Sequence, residues 1–366
     1  IQRVSLKTIS ADDDTTKSYS YNMGRKFTLN HKFTKSLISN YSKQIDSNLD
    51  NFRYKKWEII EQMNPGLVKG ITEKLNNTYS PDFLKWLSPT ITYNPIYSWN
   101  LNIIDTVTTA NVKSSNSFKT KIGFSIKELI ELIYRPENSG KSSSRGRGRG
   151  KSSSSSSSKN TKKINIQNPI GRFILSKFHF LASKLNKINS IYTYTTSQNY
   201  NNIDSEKHIS YLYRLGLQES PVDKEDVSLF DNNIIATNNL VGSRSSEYTN
   251  NLTINSSVSL TRSIVTSLDF NYSNSIYIPS TSSRTKHESF SFYPIGTRGD
   301  EGFPIANWSV NWSGIEKWWF MDKLFRSITL SHGFNGNRDL TSKDENNNGR
   351  IEDDELQNEQ YSFNYS

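Results

Sequence analysis

The chain has 366 residues, of which only 33% are hydrophobic, and its formal net charge is +10 at pH 7. Soluble globular domains are about 45–50% apolar, so this composition supplies a conventional buried core poorly. Disordered chains lack aromatic rings, whereas this one has 7 Trp, 19 Tyr and 18 Phe. The absence of cysteine excludes disulfide bonds, thiolate catalysis and thiolate metal sites.

Strands with one apolar and one polar face resolve this conflict, because only half of their side chains need to be hydrophobic. Membrane barrels are built from such strands, with lipid outside and water inside. The sequence therefore predicts an all-β membrane protein, part of a very large antiparallel transmembrane β-barrel with a few short rim helices. No run approaches about 18 apolar residues, so no transmembrane helix is predicted.

The two ends of the chain suggest a fragment of a longer protein. It begins at Ile1 without the charged and apolar regions of a signal peptide, and it ends in the strand-like segment 360–366. We interpret the chain as an internal or C-terminal part of the barrel.

The first part of the chain, 1–134, is predicted to contain barrel strands, since apolar residues recur at every second position in 27–33, 91–101 and 118–124. Aromatic residues such as Tyr97 and Trp99 suit the girdle at a membrane interface. A helical patch is predicted over 55–87, on a rim or inside the lumen. Its apolar residues are Trp57, Ile59, Ile60, Leu67, Val68, Ile71 and Leu75.

Two rim helices are predicted on either side of an insertion. The first is Ile126–Tyr134, and the second begins at Asn168–Pro169, an N-cap followed by proline, and leads into a strand near Ile188. The insertion, 135–165, contains Arg-Gly repeats and seven consecutive serines, a composition that predicts disorder. An RNA-binding Arg-Gly segment is the alternative. We favour a solvated linker and expect no nucleic-acid partner, because the excess positive charge is local to Lys141–Lys163.

The last part of the chain, 166–366, is predicted to hold the second rim helix and further strands. From 251 to 260 the even positions are mostly apolar and the odd positions are Asn, Thr or Ser, and the pattern resumes after a turn at 261–263 up to Ile278. This predicts a long hairpin. Similar alternation predicts strands at 209–217, 308–312 and 328–334. A soluble β-sandwich would also alternate, but the polar faces contain too much Ser, Asn and Thr for a second buried sheet.

The segment 344–355 matches the calcium-loop pattern D-x-[DN]-x-[DN]-G-x₅-E. In such a loop oxygen ligands come from positions 1, 3 and 5, from the carbonyl of position 7 and from a bidentate glutamate at position 12. These positions predict a structural Ca²⁺ site formed by Asp344, Asn346, Asn348, Arg350 and Glu355. The alternative is an acidic, Asn-rich surface loop that binds no ion.

Catalytic motifs are absent from the sequence, which predicts that the chain is not an enzyme. No G-x-S-x-G, Walker A or H-E-x-x-H pattern occurs. The histidines have no metal-ligand spacing; they are His31, His179, His208, His287 and His332.

Several segments, in their order along the chain, resemble the SprA/Sov family of type IX secretion translocons. They are Ser88–Trp99, the helix start Asn168–Arg172 leading to Ile188–Thr196, Tyr213–Leu217, Phe303–Trp308, Trp312–Gly314 and Phe325–His332. The resemblance covers roughly 18–366 and leaves out the Ser-rich insertion and the 344–355 loop. The chain departs from the family pattern at Ala306, where proline is common, and at Ile315, where leucine is usual.

The resemblance implies a bacterial outer-membrane pore through which folded cargo proteins reach the cell surface. Expected partners are the secreted cargo proteins, plug and accessory secretion proteins, and the lipid bilayer. Two alternatives remain open at this point. One is another outer-membrane barrel, of the TonB-dependent receptor or lipopolysaccharide-assembly type, and the other is a soluble, calcium-stabilised cell-surface adhesin.

Overall fold

In the computed structural model, all strands among the described residues belong to one antiparallel sheet of fourteen strands. The model describes residues 2–9, 15–50, 66–82, 84–104, 107–134, 169–206, 208–222, 242–279, 283–293, 303–304, 306–317, 320–346, 348, 351–352 and 355–366. The predicted antiparallel β architecture with few helices is confirmed. The predicted disorder of the 135–165 insertion concerns residues outside this set.

The longest strands, β2, β5 and β6, have 18 residues each. In chain order they are β1 (Gln2–Ile9), β2 (Thr15–Lys32), β3 (Leu37–Asn48), β4 (Leu67–Tyr79), β5 (Leu87–Ile104), β6 (Val107–Phe124), β7 (Ile188–Asp204), β8 (Ser243–Ser259), β9 (Ile264–Ile278), β10 (Thr285–Tyr293), β11 (Phe303–Pro304), β12 (Asn307–Ser313), β13 (Thr329–Lys343) and β14 (Leu356–Tyr365).

The described helices are short and lie between strands. They are α1 (Ile126–Ile133), α2 (Pro169–Lys184), α3 (Tyr211–Arg214) and α4 (Met321–Leu324), with a 3₁₀ turn at Ile315–Lys317. Helix α1 begins where the Ser125 side chain accepts a hydrogen bond from the Glu128 backbone N–H, as N-cap residues do. Among the described residues, no helix combines the length and the apolar character needed to cross a membrane.

Strands β1 to β9 pair in sequence order, each antiparallel to the next. Two shorter strands then share the place beside β9. Strand β12 pairs with the first half of β9 and β10 with the second half, and both pair with β13 on their other side. Strand β14 pairs with the outer side of β13. The sheet is therefore an up-and-down arrangement with one composite strand.

Two polar side chains continue the hydrogen bonding where the composite strand is interrupted. The Asn271 backbone N–H donates to the Ser291 hydroxyl (3.0 Å), and the Gly336 backbone N–H donates to the Asn307 side-chain oxygen (2.9 Å). The Asn307 amide also donates to Ser291 (3.3 Å). Backbone groups of β9 and β13 thus keep partners at the junction, as buried N–H groups require.

Most predicted elements are confirmed. The 251–278 hairpin forms β8 and β9 with a bend at 260–263, and Leu252 pairs with Tyr272. The two helices predicted on either side of the insertion are α1 and α2, and each lies next to the strand expected, since β6 ends at Phe124 and β7 begins at Ile188.

Two predictions are wrong. The helical patch over 55–87 is a strand at 67–79, and its part within 51–65 lies outside the described residues. Segment 67–79 is rich in β-branched residues and asparagines with low helix propensity, and pairing with β3 and β5 decides its conformation. The strand predicted at 209–217 is instead the short helix α3. The Ser210 side chain accepts a hydrogen bond from the Leu212 backbone N–H and so caps the start of this helix. Gly216, whose φ is +72°, ends the turn.

Candidate functional site

The register gives the sheet one apolar and one polar face, because directly paired residues lie on the same side. On β5 the odd positions from Leu87 to Ile103 are all apolar, and the even positions are Ser, Thr or Asn except Ile96 and Ile104. The face that contains Tyr97 is called the apolar face and the opposite one the polar face. Tracing the pairs from β4 to β13 places these large side chains on the apolar face: Leu75, Tyr79, Ile91, Phe118, Ile122, Tyr192, Leu252, Ile254, Leu268, Phe270, Trp308, Trp312, Leu330 and Phe334.

Charged residues on the apolar face lie toward one end of the sheet. The helix end is the end where α1 and α2 connect β6 to β7, and the opposite end contains the turn between β5 and β6. On β3 to β14, every Lys, Arg, Asp or Glu that pairing places on the apolar face lies either at the middle of its strand, as Glu73 does, or toward the opposite end: Lys43, Glu73, Arg244, Lys286, Glu288, Arg338 and Glu359.

The rest of the apolar face, toward the helix end, forms a region without charge that we call the uncharged belt. It consists of those residues on the apolar face that lie in segments 75–79, 87–93, 118–124, 188–194, 252–258, 264–272, 308–312 and 330–334. At the same height the polar face contains Lys119, Lys121 and Asp269. Charge is therefore excluded from one face only.

Several large side chains of the uncharged belt are exposed and most of the others are half-buried, whereas Phe334 is buried. Phe118, Ile122 and Tyr192 are each 38% exposed, and Leu330 is 55% exposed. A group of exposed apolar side chains on one face is typical of a surface that contacts lipid or protein. The polar face has some apolar exceptions, among them Ile38, Ile96, Ile191, Val265 and Tyr277.

A short segment, 208–222, folds over the apolar face at the opposite end; we call it the strap. It contains α3, and its Tyr213 is fully buried against Tyr97 and Tyr200, with ring centroids 6.3 and 6.0 Å away in edge-to-face geometry. Ala110, Val112, Ile203 and Ile209 complete this buried cluster. Burial raises the pKa of Tyr213 far above its ordinary value.

Polar contacts fix the strap to the strands below it. Strand hydroxyl groups donate to strap carbonyls, from Tyr93 to Leu215 (2.6 Å) and from Ser114 to Tyr213 (3.2 Å). A β-carbon on Gly216 would lie 1.9 Å from the Asn116 side-chain oxygen, so only glycine permits this approach. The strap backbone thus lies directly on β5 and β6.

An ionic cluster joins the strap to β3 and β4. Arg214 on the strap contacts the Glu73 carboxylate through two guanidinium nitrogens, and the Lys43 amine lies 3.0 Å from the same carboxylate. Burial by itself lowers the pKa of Arg214, but the hydrogen bond and charge of Glu73 outweigh it and raise that pKa. Sequence analysis missed this cluster; the Ser210 cap and the Gly216 stop were the local signals that could have placed it.

A cleft of about 220 Å³ lies beside the strap, between it and strands β5 to β8. Its lining mixes tyrosine rings with amide and hydroxyl groups, from Tyr93, Asn116, Tyr194, Gln198 and Tyr248. The cleft lies next to the strap at the border of the uncharged belt, since Tyr93, Phe118 and Tyr194 of the belt contribute to its lining.

The predicted calcium loop connects β13 to β14 at the opposite end of the sheet. Asp344 and Glu355, at loop positions 1 and 12, are 1% and 6% exposed. The Asn348 backbone N–H donates to Asp344 (3.1 Å), and the Asn346 amide donates to Glu355 (3.3 Å). Four of the five predicted ligand residues therefore cluster, and Arg350 lies outside the described residues.

The side chains of this loop offer carboxylate and amide oxygens as metal ligands, and such oxygens suit a hard cation such as Ca²⁺. Calcium would be held by Asp344, Asn346, Asn348 and Glu355, and it would stiffen the connection between two strands. Within the described part of the chain, no three His, Asp or Glu side chains form a group that could hold a metal ion. The fit to calcium depends on the asparagine amides in addition to the two carboxylates.

No protein-family model matches the chain, and no curated protein matches it significantly.

Proposed function

We propose that the chain is a membrane-embedded part of a bacterial outer-membrane β-barrel that conducts folded proteins, the type IX translocon that its sequence resembles. The uncharged belt is the observation that supports the membrane location. It spans β4 to β13 on one face only, and several of its aromatic and aliphatic side chains, among them Phe118, Tyr192 and Leu330, are exposed. Hydrocarbon is the environment in which such a surface is stable.

The strands are long enough to cross a bilayer. Strands β6, β7 and β8 have 17 or 18 residues, whereas a tilted strand needs about 9–11 residues to cross the hydrocarbon. The uncharged belt occupies about seven residues of each strand, which is less than a full crossing. At about 3.3 Å per residue the longest strands reach about 60 Å, so they extend beyond the bilayer. The strap and its ionic cluster cover this extension.

The polar face supports a water-filled lumen. Ser, Thr and Asn dominate it, and Lys119, Lys121 and Asp269 lie on it even at the height of the belt. Such a surface needs water, because burying unpaired charge is costly. The activity proposed is the passage of cargo proteins along this face, with no catalytic residues, and with plug and accessory proteins as partners.

The choice of translocon among barrels is supported by the order of the resembling segments. Ser88–Trp99 lies within β5, Phe303–Trp308 leads through β11 into β12, and 325–332 enters β13. A TonB-dependent receptor or a lipopolysaccharide-assembly barrel would share the belt but not this order. We also propose that the 344–355 loop binds a structural Ca²⁺.

Fractionation of cells that produce the full chain tests the membrane part of the proposal. The chain is expected in the outer-membrane fraction and to need detergent, and not carbonate or urea washing, for its release. A soluble adhesin would appear in the wash. Detection of the intact chain in the aqueous fraction, with its sheet still folded by circular dichroism, would contradict the proposal.

A further inference from the structure

Helices α1 and α2 pack against each other at the helix end through one side of α2. The His179 ring lies 3.4 Å from the Glu131 carboxylate and 6.5 Å, between ring centroids, from Tyr134. Ala182, one turn further along the helix, is buried. These contacts fix which side of α2 faces α1 and leave the remaining side open.

The open side of α2 contains two ridges at helical spacing. Ile174, Phe178 and Leu181 form a purely apolar ridge and are 47%, 56% and 63% exposed. Beside it, Lys177 and Lys184 lie over the rings of Phe173 and Phe180, with each amine 5.4 or 5.3 Å from the ring centroid. An apolar ridge flanked by lysines is the pattern of helices that lie in a membrane interface.

The charge of α2 favours an anionic surface. Segment 169–184 contains one arginine and two lysines and no Asp or Glu. The helix also lies at the end of the sheet where the uncharged belt is found, next to Phe124 and Ile188. A bilayer that surrounds the belt therefore reaches its headgroup layer near α2.

We infer that the α1–α2 pair is an interfacial anchor, with the 174–178–181 ridge inserted among the lipid headgroups and the lysines 177 and 184 paired with anionic lipid. This inference rests on the membrane part of the proposed function. It adds a second lipid-binding element, outside the sheet, and sets the helix end of the sheet at one membrane surface.

Spin labelling of the full chain tests the anchor, since the chain has no cysteine and single Cys variants label cleanly. The chain is placed in vesicles of phosphatidylcholine and phosphatidylglycerol, and the label's access to oxygen, which prefers lipid, is compared with its access to a water-soluble nickel complex. Phe178→Cys reports the apolar ridge. Ser183→Cys is the matched control, because it is exposed on the opposite side of the same helix.

The expected result is preferential oxygen access at position 178 and preferential nickel access at position 183. Preferential nickel access at 178 would overturn the anchor, and so would a label shielded from both reagents, because protein would then cover the ridge. A label at Leu268→Cys on the belt distinguishes failure of the anchor from failure of the proposed function. Oxygen access at 268 with nickel access at 178 removes the anchor alone, whereas nickel access at 268 removes the proposed function and the anchor with it.

The lysines are tested in the same vesicles. The Lys177→Glu, Lys184→Glu double variant is expected to reduce the oxygen access of the label at 178 when phosphatidylglycerol is present. Unchanged access would overturn the pairing of these lysines with anionic lipid.

Discussion

Arg214 on the strap and Glu73 on β4 are 141 positions apart in the chain, yet the guanidinium Nε donates a 3.0 Å hydrogen bond to the carboxylate. Their side chains are only 13% and 8% exposed. The pair attaches the strap to the charged end of an otherwise apolar face. It therefore marks where the uncharged belt stops.

Breaking this pair is expected to loosen the strap. Arg214→Met leaves Glu73 with the Lys43 amine, whereas Glu73→Gln leaves both cations without a carboxylate. Removing one partner of a buried pair costs about 3–5 kcal/mol, so we expect Glu73→Gln to increase amide exchange in the strap more than Arg214→Met does. Lys286→Met is the control, because its pair with Glu288 is more exposed and contributes about 0–1 kcal/mol. Equal exchange in all three variants would contradict the role of the pair.

Gly216→Ala is expected to displace the strap. The new β-carbon meets the Asn116 side chain, and the residue also has a φ of +72°, which costs about 1–2 kcal/mol for a non-glycine residue. Gly314→Ala separates the two effects, because Gly314 has a φ of +80° but its nearest neighbour would be 3.5 Å away. Mass-spectrometric amide exchange should show a larger loss of protection in the strap for Gly216→Ala than at 311–317 for Gly314→Ala. A smaller loss of protection at the strap would show that the Asn116 side chain moves aside without cost, contrary to this prediction.

The strap is expected to detach at alkaline pH. The pKa of Tyr213 is raised in the folded state by burial, so above the ordinary value of 10.0 the unfolded tyrosine loses its proton while the folded one keeps it. Stability is therefore fully present below pH 10 and falls as the pH rises further. In Tyr213→Phe the part of the alkaline loss of stability that comes from Tyr213 should vanish. Amide exchange in the strap at several pH values would detect this. A variant with the same alkaline loss as the wild type would refute the assignment to Tyr213.

The same variant has an expected effect at neutral pH. The Tyr213 hydroxyl is buried and has no hydrogen-bond partner among the described residues, and such a group costs about 1–3 kcal/mol. Tyr213→Phe should therefore protect the strap more strongly than the wild type does at pH 7. Weaker protection would mean that the hydroxyl has a stabilising role.

Glu355→Gln is expected to weaken calcium binding by about tenfold or more, which corresponds to about 1.4 kcal/mol of binding free energy. It is also expected to loosen the 344–355 loop without abolishing secretion. Glu345→Gln is the matched control, since Glu345 is an exposed carboxylate at a loop position that supplies no ligand. Calorimetry at millimolar calcium measures both. No heat of binding in the wild-type chain would refute the site. An equal loss of calcium affinity in both variants would show that Glu355 acts only through its charge and not as a ligand.

Much of the sheet could be predicted from the sequence, because a period of two is a local property. The 251–278 hairpin and the helices beside 124 and 188 follow from alternation, a cap and a proline. Segment 67–79 could not be assigned in this way: Leu67, Val68, Ile71 and Leu75 also fit a helical period, and only pairing with β3 and β5 selects the strand.

The strap shows the second limit of sequence reasoning. Tyr211, Tyr213 and Leu215 alternate like a strand, but Ser210 and Gly216 turn the segment into a short helix. Its partners Glu73 and Tyr97 belong to distant strands, so no local pattern contains them. The clustering of Asp344, Asn346, Asn348 and Glu355 was predictable because their spacing is fixed within twelve residues.

The central claim is that one face of the sheet contacts hydrocarbon and the other contacts water. Single Cys variants at 252, 253, 254 and 255 of β8, spin-labelled in lipid vesicles, test it most directly, because the even positions lie on the uncharged belt and the odd ones on the polar face. The account predicts oxygen access at 252 and 254 and nickel access at 253 and 255. Labels shielded from both reagents on either face, or no alternation between the two sets, would contradict it.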